Sequence, residues 1–241
     1  MTSLTSSDPV PPTTEAVARE GLTGLQVSQS LGVLGMLGYS ELAAFSRLAA
    51  DAALAPELAQ RLELSRLAGA ALRHLDQVGV RVGELGGDLQ PVMEPFAGVL
   101  VEFDRRTVPG TWWERLLKGY VGYGVSDDFG RIVAHALEPR TRDLVVEALA
   151  DAGHAKLVID SLAAAGVADG TLASRLALWG RRLFGEALGV VQGVIAQHPE
   201  VACLLDDAVE GMPGSGDAQQ RLFAALTADH SRRMERLGLT P

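Results

Sequence analysis

Five ionisable side chains interrupt stripes of apolar residues that helical spacing would bury: Glu41, His74, Asp128, Asp151 and His154. Carboxylates and imidazoles are rarely buried at such positions. The clearest case is the stretch DAGHAKLVID, in which Asp151 and His154 lie three residues apart on one helical face. Isolated ionised groups are costly to bury, whereas carboxylates and imidazoles that share a bound cation satisfy one another. The pattern therefore predicts a metal site inside a helical bundle.

The types of these side chains restrict the metal. Carboxylate oxygen and histidine nitrogen suit iron or manganese, and a single cysteine, Cys203, argues against structural zinc or an iron–sulfur cluster. Each residue alone has a simpler explanation, such as an arginine partner for Glu41, a surface hydrogen bond for His74, or a contact within one helix for the Asp151 and His154 pair. Together, their order resembles the ligand order of ferritin-like di-iron bundles, which favours the metal site.

The spacing of apolar residues predicts the helices that must position these side chains. The bounds are a first helix from about Val27, a second from about Pro56 to Val82, a third after an N-cap at Thr111, a fourth from EPRTRD through His154 to Leu162, a fifth from about Thr171 to Gln197, and a last helix from DAQQRLF. Short connections favour antiparallel neighbours. The segment between the second and third helices could form a crossover, and within it a strand pair at GVLVEF stays open as an alternative to helix.

Composition and charge limit the class of protein. With 241 residues, 47% hydrophobic and only 5% aromatic, the chain favours an all-α fold in one domain. We expect a disordered tail at 1–18, a helical domain at 19–205, a flexible loop at 206–218, and a C-terminal helix and tail at 219–241. The start lacks the features of a signal peptide, and no apolar run is long enough to span a membrane, so we expect a cytoplasmic protein. The net charge of −9 argues against general nucleic-acid binding.

Three longer runs carry a family resemblance: GVLGMLGYSELAAFSRLAADA, VEALADAGHAK and RLALWGRRLFGEAL. They resemble the actinobacterial branch of the MiaE-like family, which is related to tRNA hydroxylases. The resemblance implies a ferritin-like four-helix bundle with additional C-terminal helices. For active members it also implies a non-haem di-iron site that activates O₂ to hydroxylate an unactivated carbon.

The resemblance also assigns ligands by position. Glu41 matches the carboxylate of the first helix and His74 the histidine of the second, while Asp151 and His154 match the last carboxylate-and-histidine pair, with Asp in place of Glu. Asp128 is the choice for the third helix because it shares a face with apolar neighbours. Asp127, about 100° round the helix, is the second choice.

The second helix departs from the family pattern. Three residues before His74, where a bridging glutamate is expected, the sequence has Ala71, which cannot bind a metal. Three alternatives follow: two metals held with water or Glu147, one iron held by His74, His154 and a carboxylate, or a site without metal.

The leading hypothesis for function is a non-haem iron oxygenase, a MiaE-like hydroxylase of a modified tRNA nucleoside or of another small apolar group, which would need an electron donor. The alternative is a ferritin-like protein with a degraded metal site that acts as a non-catalytic binding or interaction module. Outside the metal site, we expect His135 to be a satisfied core histidine, and His198 and His230 to be solvated. We also expect the aromatics of TWWERLLKGY to hold their helix onto the core rather than to stack on a base.

Overall fold

The computed structural model describes residues 21–150 and 152–241, in which helices joined by turns and loops form the structure, without a strand. The all-α expectation is therefore confirmed, whereas the expected tail at 1–18 and Asp151 lie outside the described residues. The main helices are α1 (Gly24–Leu54), α2 (Leu58–Glu84), α3 (Leu89–Met93), α4 (Val101–Arg106), α5 (Trp112–Leu117), a π-helix (Lys118–Tyr123), α6 (Gly124–Ala134), α7 (Pro139–Ala148), α8 (Ala152–Ala168), α9 (Gly170–Gln197), α10 (Pro199–Ala202), α11 (Leu205–Ala208) and α12 (Ala218–Arg236).

Helices α1 and α2 form a long antiparallel pair, because only a short connection separates them. A capping box starts α1: the Thr23 side chain accepts from the backbone N–H of Gln26, and the Gln26 side chain accepts from the backbone N–H of Thr23. Both helix bounds lie close to the predicted ones. The pair provides one wall of the bundle and, as shown below, two of the predicted site residues.

The segment between α2 and α5 runs along α1 and packs on it, with Val92 beside Gly35 and Gly98 donating its backbone N–H to the Tyr39 hydroxyl. Gly35 permits this contact, because a Cβ atom at this position would lie 2.2 Å from the carbonyl oxygen of Val92. The alternative of a strand pair at GVLVEF is wrong, since α4 begins at Val101. Helix fits there because Phe103 is buried while its neighbours remain exposed.

The predicted third helix is real but has three parts. Thr111 caps α5, as expected, by accepting from the backbone N–H of Glu114. The π-helix then separates α5 from α6 and adds residues to the turn, which rotates the faces on either side of it relative to one another. The predicted fourth helix is not one described element: α7 ends at Ala148 and α8 begins at Ala152.

Helix α9 packs against the π-helix, α6 and α8, and α12 packs against α6. Asp169 caps the start of α9, and α9 ends at Gln197 before Pro199, as the sequence predicted. The aromatics of TWWERLLKGY behave as expected, because Trp112 and Trp113 pack on the core and Tyr120 is buried. Among the described residues, no helix has the length and apolar character needed to span a membrane.

Three expectations for histidines are wrong. His198 and His230 are buried rather than solvated, and their rings stack on Phe96 and Phe184 with centroids 4.1 and 4.2 Å apart. His135 is exposed rather than buried, because α6 ends at Ala134 and His135 follows as its C-cap. For His230 the sequence did hold a signal, since it continues the stripe of Leu222, Leu226 and Met234.

Burial of His230 predicts an acid-sensitive contact between α9 and α12. Burial, together with the charge of Arg233, lowers the pKa of His230 to about 4 from an ordinary value of 6.5. Between these values the unfolded chain binds a proton that the folded chain does not bind. The stability contributed by neutral His230 is therefore present above pH 6.5 and falls as the pH drops toward 4.

We expect His230→Phe to keep a stacked ring at this position. Between pH 6.5 and 4 the variant should lose less unfolding free energy than the wild type, by up to about 3 kcal/mol. Urea denaturation at several pH values measures this loss. The matched control is His135→Phe, which changes an exposed imidazole. If His230→Phe and the wild type lose stability in parallel, His230 is not the sensitive group.

Candidate functional site

A polar cavity lies inside the bundle between α1, α2, α6 and the α7–α8 junction. It encloses about 1030 Å³ of space between atoms, part of which is open to solvent. Five of its lining side chains carry charge or can accept a proton: Glu41, Arg47, His74, Asp127 and His154. The remaining wall is largely alanine and leucine from α1, α2 and α7. This cavity therefore brings together three of the five predicted site residues.

Glu41 and His74 face each other across the α1–α2 pair. The Glu41 Oε1 and His74 Nδ1 atoms are 3.5 Å apart, and Glu41 is 7% exposed. Burial lowers the pKa of His74, and the charge of Arg73 lowers it further, while the charge of Glu147 opposes this shift. His74 is therefore mostly neutral at pH 7.

His154 enters the cavity from the first turns of α8 and is buried. Its ring lies over the backbone of Gly119 in the π-helix: a Cβ atom at Gly119 would be 3.1 Å from His154 Nε2 and 3.0 Å from His154 Cε1. The same Cβ position is 3.0 Å from Arg47 Nη1. Gly119 thus allows an imidazole and a guanidinium from two helices to meet over one point of the π-helix.

Arg47 is the site residue that the sequence did not reveal. Its guanidinium stacks on Tyr123, with 4.2 Å between Arg47 Cζ and the ring centroid. In the described part of the chain, Arg47 Nε and Nη1 are shielded from solvent and have no hydrogen-bond partner. Such donors cost about 1–3 kcal/mol each when left unpaired, so their position is informative. The only sequence signal is that Arg47 follows Ser40, another lining residue, by seven positions. This spacing places both residues on one face of α1.

Asp128, the first choice on the third helix, does not face this cavity. Its carboxylate Oδ2 lies 2.8 Å from Arg233 Nη1, its Oδ1 accepts from Arg131 at 2.5 Å, and it is 6% exposed. These contacts hold α12 against α6. Asp127, the second choice, lines the cavity instead. The sequence pattern placed Asp128 correctly on a buried stripe. Because α6 is covered on both sides, however, this stripe packs against α12 and not against the cavity.

Of the remaining predicted residues, Glu147 is exposed on α7. Asp151 lies outside the described residues. Ala71 is buried and lines the cavity close to His74 in sequence, at the position where a bridging carboxylate would be needed.

A family described as a ferritin-like domain of actinomycetes matches residues 27–208. The chain belongs to this ferritin-like family. The match spans α1 to α11 and so includes every helix that lines the cavity. No curated protein matches the chain.

In the described part of this ferritin-like protein, the cavity has an alanine, Ala71, at the position where a di-iron centre needs a bridging carboxylate. Within residues 21–150 and 152–241, no group of three or more His, Cys, Asp and Glu side chains is close enough to hold a metal ion. Ala71 offers no ligand, and the guanidinium of Arg47 adds a positive charge to the same cavity, which opposes binding of two further cations. Among the described residues, the cavity is therefore lined by a mixture of carboxylates, imidazoles and a guanidinium.

The two aspartates should differ in their structural effect. Asp128→Asn leaves Arg233 buried with a weaker partner, and we expect a loss on the order of 3 kcal/mol in unfolding free energy. Asp127→Asn, the matched change on the cavity side, should cost about 1 kcal/mol or less. Urea denaturation of the two variants measures the difference. Equal losses would contradict the assignment of Asp128 to the α6–α12 contact.

Proposed function

We propose that this ferritin-like protein is a binding protein whose bundle cavity holds a small molecule without di-iron chemistry. The observation that carries the proposal is the guanidinium of Arg47. Arg47 lines the cavity, and two of its nitrogens, Nε and Nη1, are shielded and have no hydrogen-bond partner among the described residues. A site built to hold two metal ions places negative charge at such positions. A site built for a ligand with an acceptor group places a donor there.

The other lining residues fit this role. The contact between Glu41 and His74 keeps the buried carboxylate next to an imidazole. Stacking of Arg47 on Tyr123 fixes the plane of the guanidinium, and Tyr123 is itself fixed by a hydrogen bond from its hydroxyl to Asp104 Oδ1 at 2.5 Å. Burial raises the pKa of Tyr123, so its phenol stays neutral and remains a donor to Asp104. The donor face of the cavity is therefore preorganised, which lowers the cost of binding.

A non-haem iron oxygenase is the second candidate. It is supported by the arrangement of Glu41, His74 and His154 around one cavity. A single iron in the reduced-site alternative would require these three side chains to move closer together than the structure places them. When bound, iron would supply the O₂ activation needed to hydroxylate an apolar group. A tRNA nucleoside or small-molecule substrate and an electron donor remain predictions of this second candidate.

Metal analysis separates the two functions. The full chain is purified anaerobically, loaded with Fe(II), freed of excess metal and assayed for iron per chain. We expect no stoichiometric iron, and we expect His154→Ala to leave the metal content unchanged. One iron per chain that is lost in His154→Ala would overturn the binding-protein proposal and support the iron enzyme.

A carboxylate introduced at position 71 tests whether Ala71 limits iron binding. Ala71→Glu places a glutamate at the expected bridging position, so this variant should retain more iron than the wild type. Leu72→Glu is the matched control, because it adds the same charge at the neighbouring position, where the side chain is 37% exposed. Equal iron content in both variants would show that Ala71 is not the limiting change.

A further inference from the structure

Large apolar side chains are exposed along one stripe of α2. Leu58, Leu62, Leu72 and Val80 are 80, 49, 37 and 64% exposed. At about 100° per residue, these four positions fall within roughly 80° of one another around the helix. The opposite side of α2, which includes Ala71, lines the polar cavity. Apolar side chains that are clustered in this way are typical of a surface that meets another molecule.

The outer side of α1 continues this apolar stripe. Gly35, Leu42 and Ala49 repeat every seven positions and so share one face of α1. The segment between α2 and α5 covers that face at Gly35, through Val92, but Leu42 is 40% exposed and Ala49 is also exposed. The chain therefore covers only the first half of this side of α1. One outer face is formed by Leu42 and Ala49 of α1 with Leu58, Leu62, Leu72 and Val80 of α2.

The size of the outer face suits a weak dimer. From Leu58 to Val80, α2 advances by 22 positions, or roughly 33 Å. The exposed part of α1 from Leu42 to Leu54 adds roughly 18 Å, and at about 10 Å per helix the footprint is on the order of 500 Å². Accessible area exceeds a flat footprint because side chains project from it. The outer face therefore reaches the lower end of specific interfaces, about 600 Å² per partner.

The charges of α2 do not oppose contact between two copies. The whole chain carries a net charge of −9, so most of its surface repels a second copy. Between positions 58 and 80, however, three positive charges stand against two negative ones, which leaves +1. The residues concerned are Arg61, Arg66 and Arg73 with Glu63 and Asp76. This side of the molecule is therefore free of the acidic excess.

The order of residues along α2 fits an antiparallel second copy. A twofold axis at the level of position 71 brings each residue opposite the one that lies equally far beyond that position. Leu62 then meets Val80 of the second copy, and Arg66 meets Asp76 of the second copy. Asp76 is exposed and has no ion-pair partner in the described part of the chain, while the contact of Arg66 with Glu63 is a long one, at 3.7 Å. Both charges are therefore available to a partner.

We propose that the outer face of α1 and α2 binds a second copy of this chain in an antiparallel, twofold arrangement. Contacts between Leu62 and Val80 bury apolar surface, and the pairs of Arg66 with Asp76 fix the direction and the register. Gly69 lies between these contacts and has no side chain to hold the two helices apart. The outer face is separate from the polar cavity, so the dimer does not depend on the proposed ligand.

Sedimentation velocity of the full chain measures the dimer. We expect a monomer–dimer equilibrium with a dissociation constant on the order of 10 µM, as suits an interface of this size. Leu62→Glu and Val80→Glu should each raise this constant about tenfold or more, because each places a charge in the apolar contact. Leu178→Glu is the matched control, since Leu178 lies on α9 and is 63% exposed. A monomer at every concentration up to about 0.5 mM would overturn the inference, and so would an unchanged dimer in both variants of the outer face.

Exchange of charges tests the pairing. Arg66→Asp and Asp76→Arg should each weaken the dimer, because each variant places like charges opposite one another. The double variant restores opposite charges, so its dissociation constant should return to within about threefold of the wild-type value. Additive weakening in the double variant would contradict the pairing of Arg66 with Asp76.

Disulfide trapping tests the register. In a Cys203→Ser background, which removes the native thiol, Leu62→Cys combined with Val80→Cys should give a covalent dimer on mild oxidation. Within one chain these positions are 18 residues apart on α2. That separation is roughly 27 Å, whereas a disulfide needs about 7 Å or less between Cα atoms, so each single-cysteine variant should stay non-covalent. A covalent dimer from either single variant, or none from the double variant, would overturn the antiparallel arrangement.

Discussion

Gly119 has no side chain, and this allows the π-helix to approach α1 and α8 so closely that Arg47 and His154 meet above its backbone. A Cβ atom there would lie within 3.1 Å of both side chains, so any other residue would displace one of them. The π-helical turn places Gly119 at this point by changing the rotation between α5 and α6. The donor face of the polar cavity depends on this close approach.

The polar interior of the bundle is divided by α6. On one side, Asp128 and Arg233 join α6 to α12 in a buried ion pair. His230, three positions before Arg233, is neutral and stacks on Phe184 of α9. On the other side, Asp127 lines the cavity. Successive residues of a helix point about 100° apart. Because α6 is covered on both sides, adjacent aspartates therefore meet different surroundings. Helix α12 gives the fold a buried polar contact with α6 that is separate from the polar cavity.

Membership of the ferritin-like family is compatible with the polar side chains that line the cavity. The family match covers the helices around the cavity, and that cavity is lined by two carboxylates and two histidines. At Ala71 the side chain needed to bridge two cations is missing, and at Arg47 a cation belonging to the protein faces the space. Because buried charge must be compensated, the proposed function assigns this cavity a ligand with an acceptor group, within the helices of the ferritin-like family.

The all-α class, the approximate ends of α1, α2 and α9, and the caps at Thr111 and before Pro199 follow from the sequence, because they depend on local spacing and on backbone hydrogen bonds at helix ends. The departure at Ala71 and the presence of Glu41, His74 and His154 on buried faces were also visible there. These features require only a helical period and the chemistry of single side chains.

Contacts between helices decided the rest. The sequence could not show that Asp127 rather than Asp128 lines the cavity, that Arg47 faces it, or that His198 is buried and His135 exposed. Each of these facts depends on which helix covers which face and on where the π-helix and the α7–α8 break change the rotation. Local periodicity identifies a buried face, but only tertiary packing determines what that face meets.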